Sequence, residues 1–249
     1  MKSKLISILL ILVATSLLIS ACGGSSQKVR VATDATWPPF ESVDEQSKEI
    51  VGFDIDLMNA IAKAGGFQVE FVNVPWDSLL AGMAQCQYDA SISAMTITEE
   101  RKQSFSFSDP YFEAGQIVSV QIGNTDITGK DSLSGKRVGV QNGTTGDIEV
   151  QNIAGAERTP YDDIALAFQD LMNGQLDAVV ADNPLAIEYV GINADKIKTV
   201  GSVFTEESYG VAVCKTNTDL LNKINKGLAK AKADGVIDEL TTKWLAASQ

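Results

Sequence analysis

The sequence predicts an α/β protein of two lobes, each with a mostly parallel sheet flanked by helices. Short runs rich in β-branched and aromatic residues alternate with amphipathic helical segments, first over 29–93 and again over 138–189. Such alternation is typical of βαβ units, because a parallel strand is reached through a crossover helix. With 45% apolar residues and 6 prolines, the chain can bury the cores of two such units.

The predicted elements follow in chain order. The first series consists of strands and helices at 29–32, 53–64, 67–74, 76–84 and 88–93. The second series consists of a strand at 138–141, a helix from about 145, a strand near 159, and further elements at 163–173, 178–181 and 184–189. The C-terminal segment 218–245 predicts two helices, which are broken near Asp234 and Gly235.

The N-terminus has the pattern of an export signal. Lys2 and Lys4 precede an apolar run over 5–18, and small residues lead to Cys22. The run is shorter than the roughly 18 residues that a membrane-spanning helix needs. We therefore expect residues 1–21 to be a signal peptide, Cys22 to be lipidated, and residues 22–27 to form a flexible tether that anchors the protein to a membrane.

Composition excludes several function classes. Lys2 and Lys4 are the charged residues of the leader, so its removal changes the formal net charge from −12 to −14, which disfavours nucleic acid as a partner. The absence of histidine excludes histidine-dependent triads and histidine-ligated metals. The cysteine spacing matches no metal site, and Cys86 and Cys214 are expected either to pair or to remain buried thiols.

One arginine lies where an anion could be held. Thr98 is a good helix N-cap, so Arg101 falls near a predicted helix start, where backbone amides favour negative charge. A planar guanidinium binds a carboxylate through two hydrogen bonds, which a lysine does not reproduce. Taken alone, Arg101 would more often form a surface salt bridge.

A phosphate-binding loop is a second interpretation that the residues do not support. Gly129, Gly135 and Lys136 roughly imitate such a loop. Their glycine spacing is one residue too long, and Arg137 stands where a serine or threonine should bind magnesium. Nucleotide binding is therefore not expected.

The stretch 94–112 resembles the segment that carries the ligand-carboxylate arginine in bacterial extracellular solute-binding proteins for polar amino acids, which feed ABC importers. The resemblance continues through the matching segments 29–34, 37–41, 51–57, 139–146 and 243–244. It implies a periplasmic-binding-protein-like fold whose two crossing strands, near 111–115 and 205–209, form a hinge. Lobe 1 would comprise 28–112 and 208–249, and lobe 2 would comprise 113–207.

The resemblance also implies partners for both charges of a free amino acid, which would be costly to bury unpaired. It assigns the ligand carboxylate to Arg101, helped by Thr96 and by Thr145 in the loop 143–146. It assigns the ammonium to Asp182 and the Ala94 carbonyl. Without the resemblance, Asp182 would more often be a helix N-cap.

Specificity is expected from the ligand's side-chain pocket. The resemblance places Trp37 and Trp76 as two rings that sandwich the side chain, with Asp34 beside them, an arrangement that suits a cationic group or an amide. Gln141 stands where some glutamine-binding relatives have lysine, and Ala181 where some have histidine. These departures disfavour glutamate and leave arginine and glutamine both open, since Gln141 can donate and accept.

The expected function is that of a non-enzymatic binding lipoprotein of an ABC importer. It would capture a polar or cationic L-amino acid by hinge closure and deliver it to the membrane permease, as an extracytoplasmic monomer without cofactor or metal. Two alternatives stay open. A dehydratase on the same fold would need a general acid in the cleft, for which Asp182 is a candidate. A ligand-binding module of a receptor or channel would need a separate membrane partner.

Overall fold

A computed structural model describes residues 28–245 of the chain. The predicted signal peptide, Cys22 and the tether lie outside the described residues. The strands are β1 Val29–Thr33, β2 Thr36–Trp37, β3 Glu41–Val43, β4 Ile50–Val51, β5 Val69–Asn73, β6 Ala90–Ser91, β7 Phe105–Phe107, β8 Phe112–Ala114, β9 Gln116–Gln121, β10 Arg137–Gln141, β11 Glu157–Tyr161, β12 Ala178–Asp182, β13 Ile197–Val200, β14 Glu207–Tyr209 and β15 Ala212–Cys214. The helices are α1 Phe53–Gly65, α2 Trp76–Ala84, α3 Arg101–Ser104, α4 Thr145–Gln151, α5 Ile164–Met172, α6 Asn183–Ile192, α7 Thr218–Ala233 and α8 Val236–Trp244, with a 3₁₀ turn at Lys130–Ser132.

The first lobe is built on a five-stranded sheet in the order β5-β1-β6-β15-β7. Strand β1 pairs in parallel with β5 and β6, whereas β15 pairs antiparallel with β6 and β7. Helix α1 buries Phe53, Leu57 and Ile61 between this sheet and α7. A Cβ added at Gly227 of α7 would lie 2.4 Å from the Ile61 carbonyl oxygen, so glycine is needed where the two helices touch.

The second lobe repeats the pattern with a sheet in the order β11-β10-β12-β9-β13. Strand β10 is parallel to both β11 and β12, and β9 is antiparallel to its two neighbours. Strand β12 is fully buried and has no alternation of polar residues, as expected for a central strand with helices on both faces. The predicted α/β fold with two sheet-containing lobes is confirmed.

Two short strands connect the lobes. Strand β8 leaves the first lobe, β14 returns to it, and the two pair antiparallel with Phe112 opposite Tyr209. The residues of this ribbon belong to neither five-stranded sheet. The exact lobe boundaries at 112 and 208 therefore stay a prediction, although the carboxyl ends of β1, β10 and β12 from both lobes meet beside the ribbon.

Three details bear on earlier expectations. Cys86 and Cys214 form a disulfide with a Cα–Cα distance of 5.1 Å, which decides between the two states that the sequence left open. The break between α7 and α8 falls at Gly235, whose φ of 77° suits glycine, as predicted. Within residues 28–245, no helix is both long and apolar enough to cross a membrane.

Candidate functional site

A small cavity lies between the two lobes. It is lined by the nine residues that the sequence singled out, namely Asp34, Trp37, Trp76, Ala94, Thr96, Arg101, Gln141, Thr145 and Asp182. Thr144, which belongs to the predicted loop 143–146, also lines it, as does Ser93, which was not predicted. The fold therefore brings together residues up to 148 positions apart, from Asp34 to Asp182, at the carboxyl ends of β1, β10 and β12.

Arg101 lies at the start of α3, which is a single turn of four residues. Its backbone amide donates to the Thr98 hydroxyl over 3.1 Å, but the N-cap residue is Glu100, which makes no side-chain cap, so Thr98 is not the N-cap that the sequence predicted, and so short a helix has little dipole. The guanidinium donates to the Thr96 carbonyl oxygen at 2.9 Å and to the Gly143 carbonyl oxygen at 3.3 Å, across the lobes. Since a guanidinium has five N–H donors, others can still reach an anion.

The ring of Trp76 stacks on the guanidinium of Arg101. The guanidinium carbon lies 5.1 Å from the ring centroid, within the range of a cation–π contact. Burial lowers the pKa of Arg101, but nearby Asp182 and Glu207 raise it. One face of the Trp76 ring thus orients Arg101. The predicted sandwich of a ligand side chain would therefore use the part of the Trp76 ring that Arg101 does not cover.

The loop after β10 is held by hydrogen bonds at both of its ends. Thr144 caps α4 by accepting from the Asp147 amide, and the Thr144 hydroxyl donates to the Gln141 carbonyl oxygen at 2.8 Å. The Gly143 amide donates to the Asp147 carboxylate at 3.0 Å, and Arg158 forms a salt bridge with the same carboxylate. Thr145 is therefore the first residue of a helix, where backbone amides have no intrahelical acceptor and can meet an anion.

Asp182 occupies the N-cap position of α6, but its side chain makes no capping hydrogen bond. Its carboxylate accepts instead from Gln116 Nε2 at 2.6 Å and from the Tyr209 hydroxyl. Burial and the nearby carboxylate of Glu207 raise the pKa of Asp182 to about 7, although these two hydrogen bonds oppose the shift. A cation entering the cavity would favour its charged form.

Glu207 on β14 is a functional candidate that the sequence did not reveal. Its side chain is buried and accepts from the hydroxyls of Thr96 at 2.6 Å and Thr145 at 2.8 Å. Gln116 Nε2 donates to it at 3.0 Å. The one available signal was the pair of acidic residues Glu206 and Glu207 at the start of β14, and the period-two alternation of a strand turns Glu207 inward together with Tyr209.

Asp34 faces the cavity from the end of β1 and is 4% exposed. Its carboxylate accepts from the Gln141 side-chain amide at 3.1 Å, across the lobes, and from the Thr36 hydroxyl at 2.9 Å. Its backbone amide donates to Ser93 Oγ at 3.0 Å. Burial raises the pKa of Asp34, although the hydrogen bonds from the uncharged donors Thr36 and Gln141 oppose the shift.

Ala94 lies in the left-handed region with φ of 44°, which is strained for a residue with a Cβ. Its amide donates to Asp54 at 2.7 Å, behind the cavity wall. Asp54 also accepts from the Tyr111 hydroxyl, and burial raises its pKa to about 7, although the hydrogen bonds with Ala94, Tyr111 and Glu41 oppose the shift. This internal network fixes the backbone of Ala94, so that its conformation does not depend on a ligand.

Comparison with known proteins identifies the family. The model for bacterial extracellular solute-binding proteins, family 3, matches residues 29–247. The chain belongs to this family. The "Probable histidine-binding protein" of Neisseria gonorrhoeae is 38% identical, over 94% of this chain and 93% of that protein. "ABC transporter arginine-binding protein 1" of Escherichia coli K12 is also 38% identical, over 94% and 98%.

A solved structure extends the similarity to three dimensions. An ancestral arginine-binding protein bound to arginine is 46% identical, covers 87% of this chain and 97% of its own, and superposes with a TM-score of 0.83. The family comprises extracytoplasmic solute-binding proteins, and these three similar proteins are amino-acid-binding proteins by name. The membership predicted from the sequence is confirmed.

Proposed function

We propose that this protein binds a cationic L-α-amino acid, with arginine first, between its two lobes and delivers it to the permease of an ABC importer. The observation that favours a cationic ligand is the buried carboxylate of Asp34 in the cavity. The zwitterionic end of any amino acid uses Arg101 for its carboxylate and Asp182 for its ammonium. Asp34 is then a further buried carboxylate, with uncharged donors from Gln141 and Thr36 beside it.

A buried carboxylate without a cation is costly, and a guanidinium or ammonium from the ligand would relieve that cost. Trp37 is 7% exposed and lines the same cavity, so its ring can lie along the stem of a long side chain. Glutamine would offer Asp34 an amide hydrogen bond but no charge. We therefore rank arginine and lysine above glutamine, and a negatively charged amino acid last.

The similar proteins support this ranking. Both curated relatives are named for amino acids with nitrogen-rich side chains, histidine and arginine. The ancestral protein with 46% identity was solved with arginine and also with glutamine. A neutral amide ligand is thus the nearest competitor, as the sequence alone also indicated.

Ligand capture would proceed by a shift between open and closed arrangements of the lobes about the ribbon of β8 and β14. Contacts across the cleft, such as Arg101 with Gly143 and Asp34 with Gln141, form only when the lobes are together. A ligand that bridges both lobes adds to these contacts. We expect an affinity of roughly −8 to −10 kcal/mol, which corresponds to micromolar to tens of nanomolar dissociation constants.

Calorimetric titration tests the proposal. Carried-over ligand is first removed by unfolding and refolding, and the protein is titrated with L-arginine, L-lysine, L-histidine, L-glutamine and L-glutamate. D-arginine is the matched control, since it has the same charges with the wrong handedness at Cα. Tight binding of L-arginine or L-lysine with weak binding of D-arginine is expected. Tightest binding of L-glutamate would contradict the assignment of Asp34.

The membrane attachment is part of the same proposal. Cys22 follows the small residues that precede a lipidated cysteine, and residues 23–27 are small or polar. An anchored binding protein would remain near the permease. Expression of Cys22→Ser should move the protein from the membrane fraction to the soluble extracytoplasmic fraction. An unchanged distribution would contradict lipidation.

Elimination chemistry on a small carboxylic acid is a second candidate with one specific observation in its favour. The pKa of Asp182 is raised to about 7, so this carboxyl group can hold a proton at neutral pH, as a general acid must. Turnover of a prephenate-like or arogenate-like acid by the purified protein would establish it. We rank it second because an ammonium ligand would remove that proton.

A further inference from the structure

Glu207 lies behind the cavity wall and contacts it through two hydroxyl groups. It is 8% exposed, and it does not itself line the cavity. Its Oε2 atom accepts from Thr96 Oγ1 at 2.6 Å and from Thr145 Oγ1 at 2.8 Å. Its Oε1 atom accepts from Thr205 Oγ1 at 2.9 Å and Gln116 Nε2 at 3.0 Å. All of these contacts are within hydrogen-bond distance.

The chemistry of a carboxylate fixes the direction of these hydrogen bonds. An ionised carboxylate accepts only, and a hydroxyl has one proton to donate. The protons of Thr96 and Thr145 are therefore directed at Glu207, and the Thr145 oxygen also accepts from Gln116 Nε2 at 3.2 Å. The hydroxyl oxygens can face the cavity only as acceptors, which suits the ligand's ammonium, so the ligand carboxylate is left to Arg101 and the Thr145 backbone amide rather than to these two hydroxyls.

The two hydroxyls come from different lobes. Thr96 precedes α3 of the first lobe and pairs with Tyr209 in an isolated β-bridge. Thr145 is the first residue of α4 in the second lobe. Glu207 begins β14, the strand by which the chain returns across the hinge. One carboxylate oxygen thus holds one donor from each lobe, and separating the lobes would remove at least one of them.

We propose that Glu207 is a positioning residue of the ligand site, which orients the hydroxyls of Thr96 and Thr145 from the hinge and holds the lobes together around the α-amino-acid end of the ligand. This inference rests on the proposed function. The contacts of Glu207 join the lobes without involving the ligand's side chain, whereas the contact between Asp34 and Gln141 lies in the pocket that would receive that side chain.

The distinguishing consequence is a uniform effect on affinity. Every α-amino acid presents the same ammonium to the hydroxyls of Thr96 and Thr145. Loss of the Glu207 carboxylate therefore weakens binding of each ligand by the same factor and leaves the ratio between ligands unchanged. Because the contacts are made in the closed state, the change is expected in the dissociation rate.

The test compares Glu207→Gln with Glu206→Gln, its exposed neighbour, which has the same change in charge. L-arginine and L-glutamine are titrated into each protein by calorimetry, and dissociation is followed by stopped flow. A glutamine at 207 whose oxygen replaces Oε2 can accept from both hydroxyls but carries no charge, and its amide nitrogen then faces the donors Thr205 Oγ1 and Gln116 Nε2, so at least one hydrogen bond of the cluster is lost. Loss of a hydrogen bond to a charged group predicts about ten- to a hundredfold weaker binding of both ligands, with a parent-like ratio. Glu206→Gln should bind like the parent.

A double-mutant cycle separates positioning from general damage. Thr145→Val removes one of the oriented hydroxyls and should weaken binding in the parent background. In the Glu207→Gln background its effect should be at least threefold smaller, because the two residues act through one contact. Additive effects, or a changed ratio between the two ligands, would overturn the proposal.

The outcomes also separate this inference from the function on which it rests. If the parent binds no amino acid, both fail. If the parent binds arginine tightly and Glu207→Gln binds equally well, the proposed function stands and the role of Glu207 is refuted. A poorly folded variant would show fewer binding sites per chain at an unchanged dissociation constant, and in that case Glu207→Asp, which keeps the charge on a shorter side chain, repeats the cycle.

Discussion

The side-chain amide of Gln141 donates to the carboxylate of Asp34 across a distance of 3.1 Å, although the two residues belong to different lobes and are 107 positions apart. The contact joins the end of β10 to the end of β1 at the cavity wall. Gln141 is a neutral donor, so it closes the cleft without neutralising Asp34. A cationic ligand side chain would supply the charge that Gln141 lacks.

Asp34→Asn is expected to change selectivity. The variant keeps the shape of the side chain but cannot form a charge-assisted hydrogen bond with a guanidinium. We expect affinity for L-arginine to fall about ten- to a hundredfold and affinity for L-glutamine to change little. Calorimetric titration measures both, with the exposed Glu45→Gln as the charge-matched control. An equal loss for the two ligands would show that Asp34 does not recognise the side chain.

Arg101→Lys is expected to weaken every amino acid ligand. Lysine keeps the positive charge but cannot hold a carboxylate through two parallel hydrogen bonds or stack on Trp76 in the same way. The predicted loss is about 2 kcal/mol or more, or at least thirtyfold in the dissociation constant. Lys102→Gln removes an exposed cation one residue further on and should have no effect. Parent-like binding by Arg101→Lys would refute the carboxylate assignment.

Ligand affinity is expected to depend on pH through Asp182. In the empty cavity its pKa is raised to about 7, and the ligand's ammonium would lower it again. Binding then requires loss of a proton below about pH 7, so affinity should fall as the pH is lowered from about 7 to about 5, by up to tenfold per unit.

Calorimetry in two buffers of different ionisation enthalpy measures this effect as protons released per ligand bound. Release should increase from about pH 8 to about pH 6. Asp182→Asn should bind more weakly and show much less release. A dissociation constant that is flat across this range, with no proton release, would contradict the assignment of Asp182 to the ammonium.

The disulfide is expected to contribute to stability but not to ligand recognition. Cys86 and Cys214 are 128 positions apart, and both lie in the first lobe rather than at the cavity. Closing so long a loop restricts the unfolded chain and is worth about 3 to 5 kcal/mol. Unfolding in urea should show that loss for Cys86→Ser with Cys214→Ser, while the affinity for arginine is retained. An unchanged unfolding midpoint would contradict this prediction.

Much of the fold was predictable, because its signals are local. The alternation of strands and helices predicted the parallel strands of both sheets, and Gly235 marked the break between the last two helices, but the antiparallel strands β7, β9, β13 and β15 were not predicted. Periodicity alone would have suggested two consecutive lobes, since nothing local indicates that β15 returns to the first sheet between β6 and β7. That return is a long-range pairing, and the resemblance to the family was needed to expect it.

The cavity residues were predictable for a different reason. From the local sequence alone, residues such as Arg101 and Asp182 more often have structural roles. The family motifs around them made a ligand-binding role the better hypothesis. Glu207 was not predicted as a site residue because its partner Thr96 is 111 positions away and because Glu206 beside it has the same charge. Which of two adjacent acids turns inward depends on the register of β14, which the sequence does not determine locally.

A crystal structure of the protein grown with L-arginine tests the central claim most directly. The account predicts the ligand carboxylate on Arg101, the ammonium on Asp182, and the guanidinium beside Asp34 with its stem along Trp37. Glu207 should keep its contacts with Thr96 and Thr145. An empty cleft at saturating arginine, or a ligand held with its guanidinium on Asp182 and its carboxylate away from Arg101, would contradict the account.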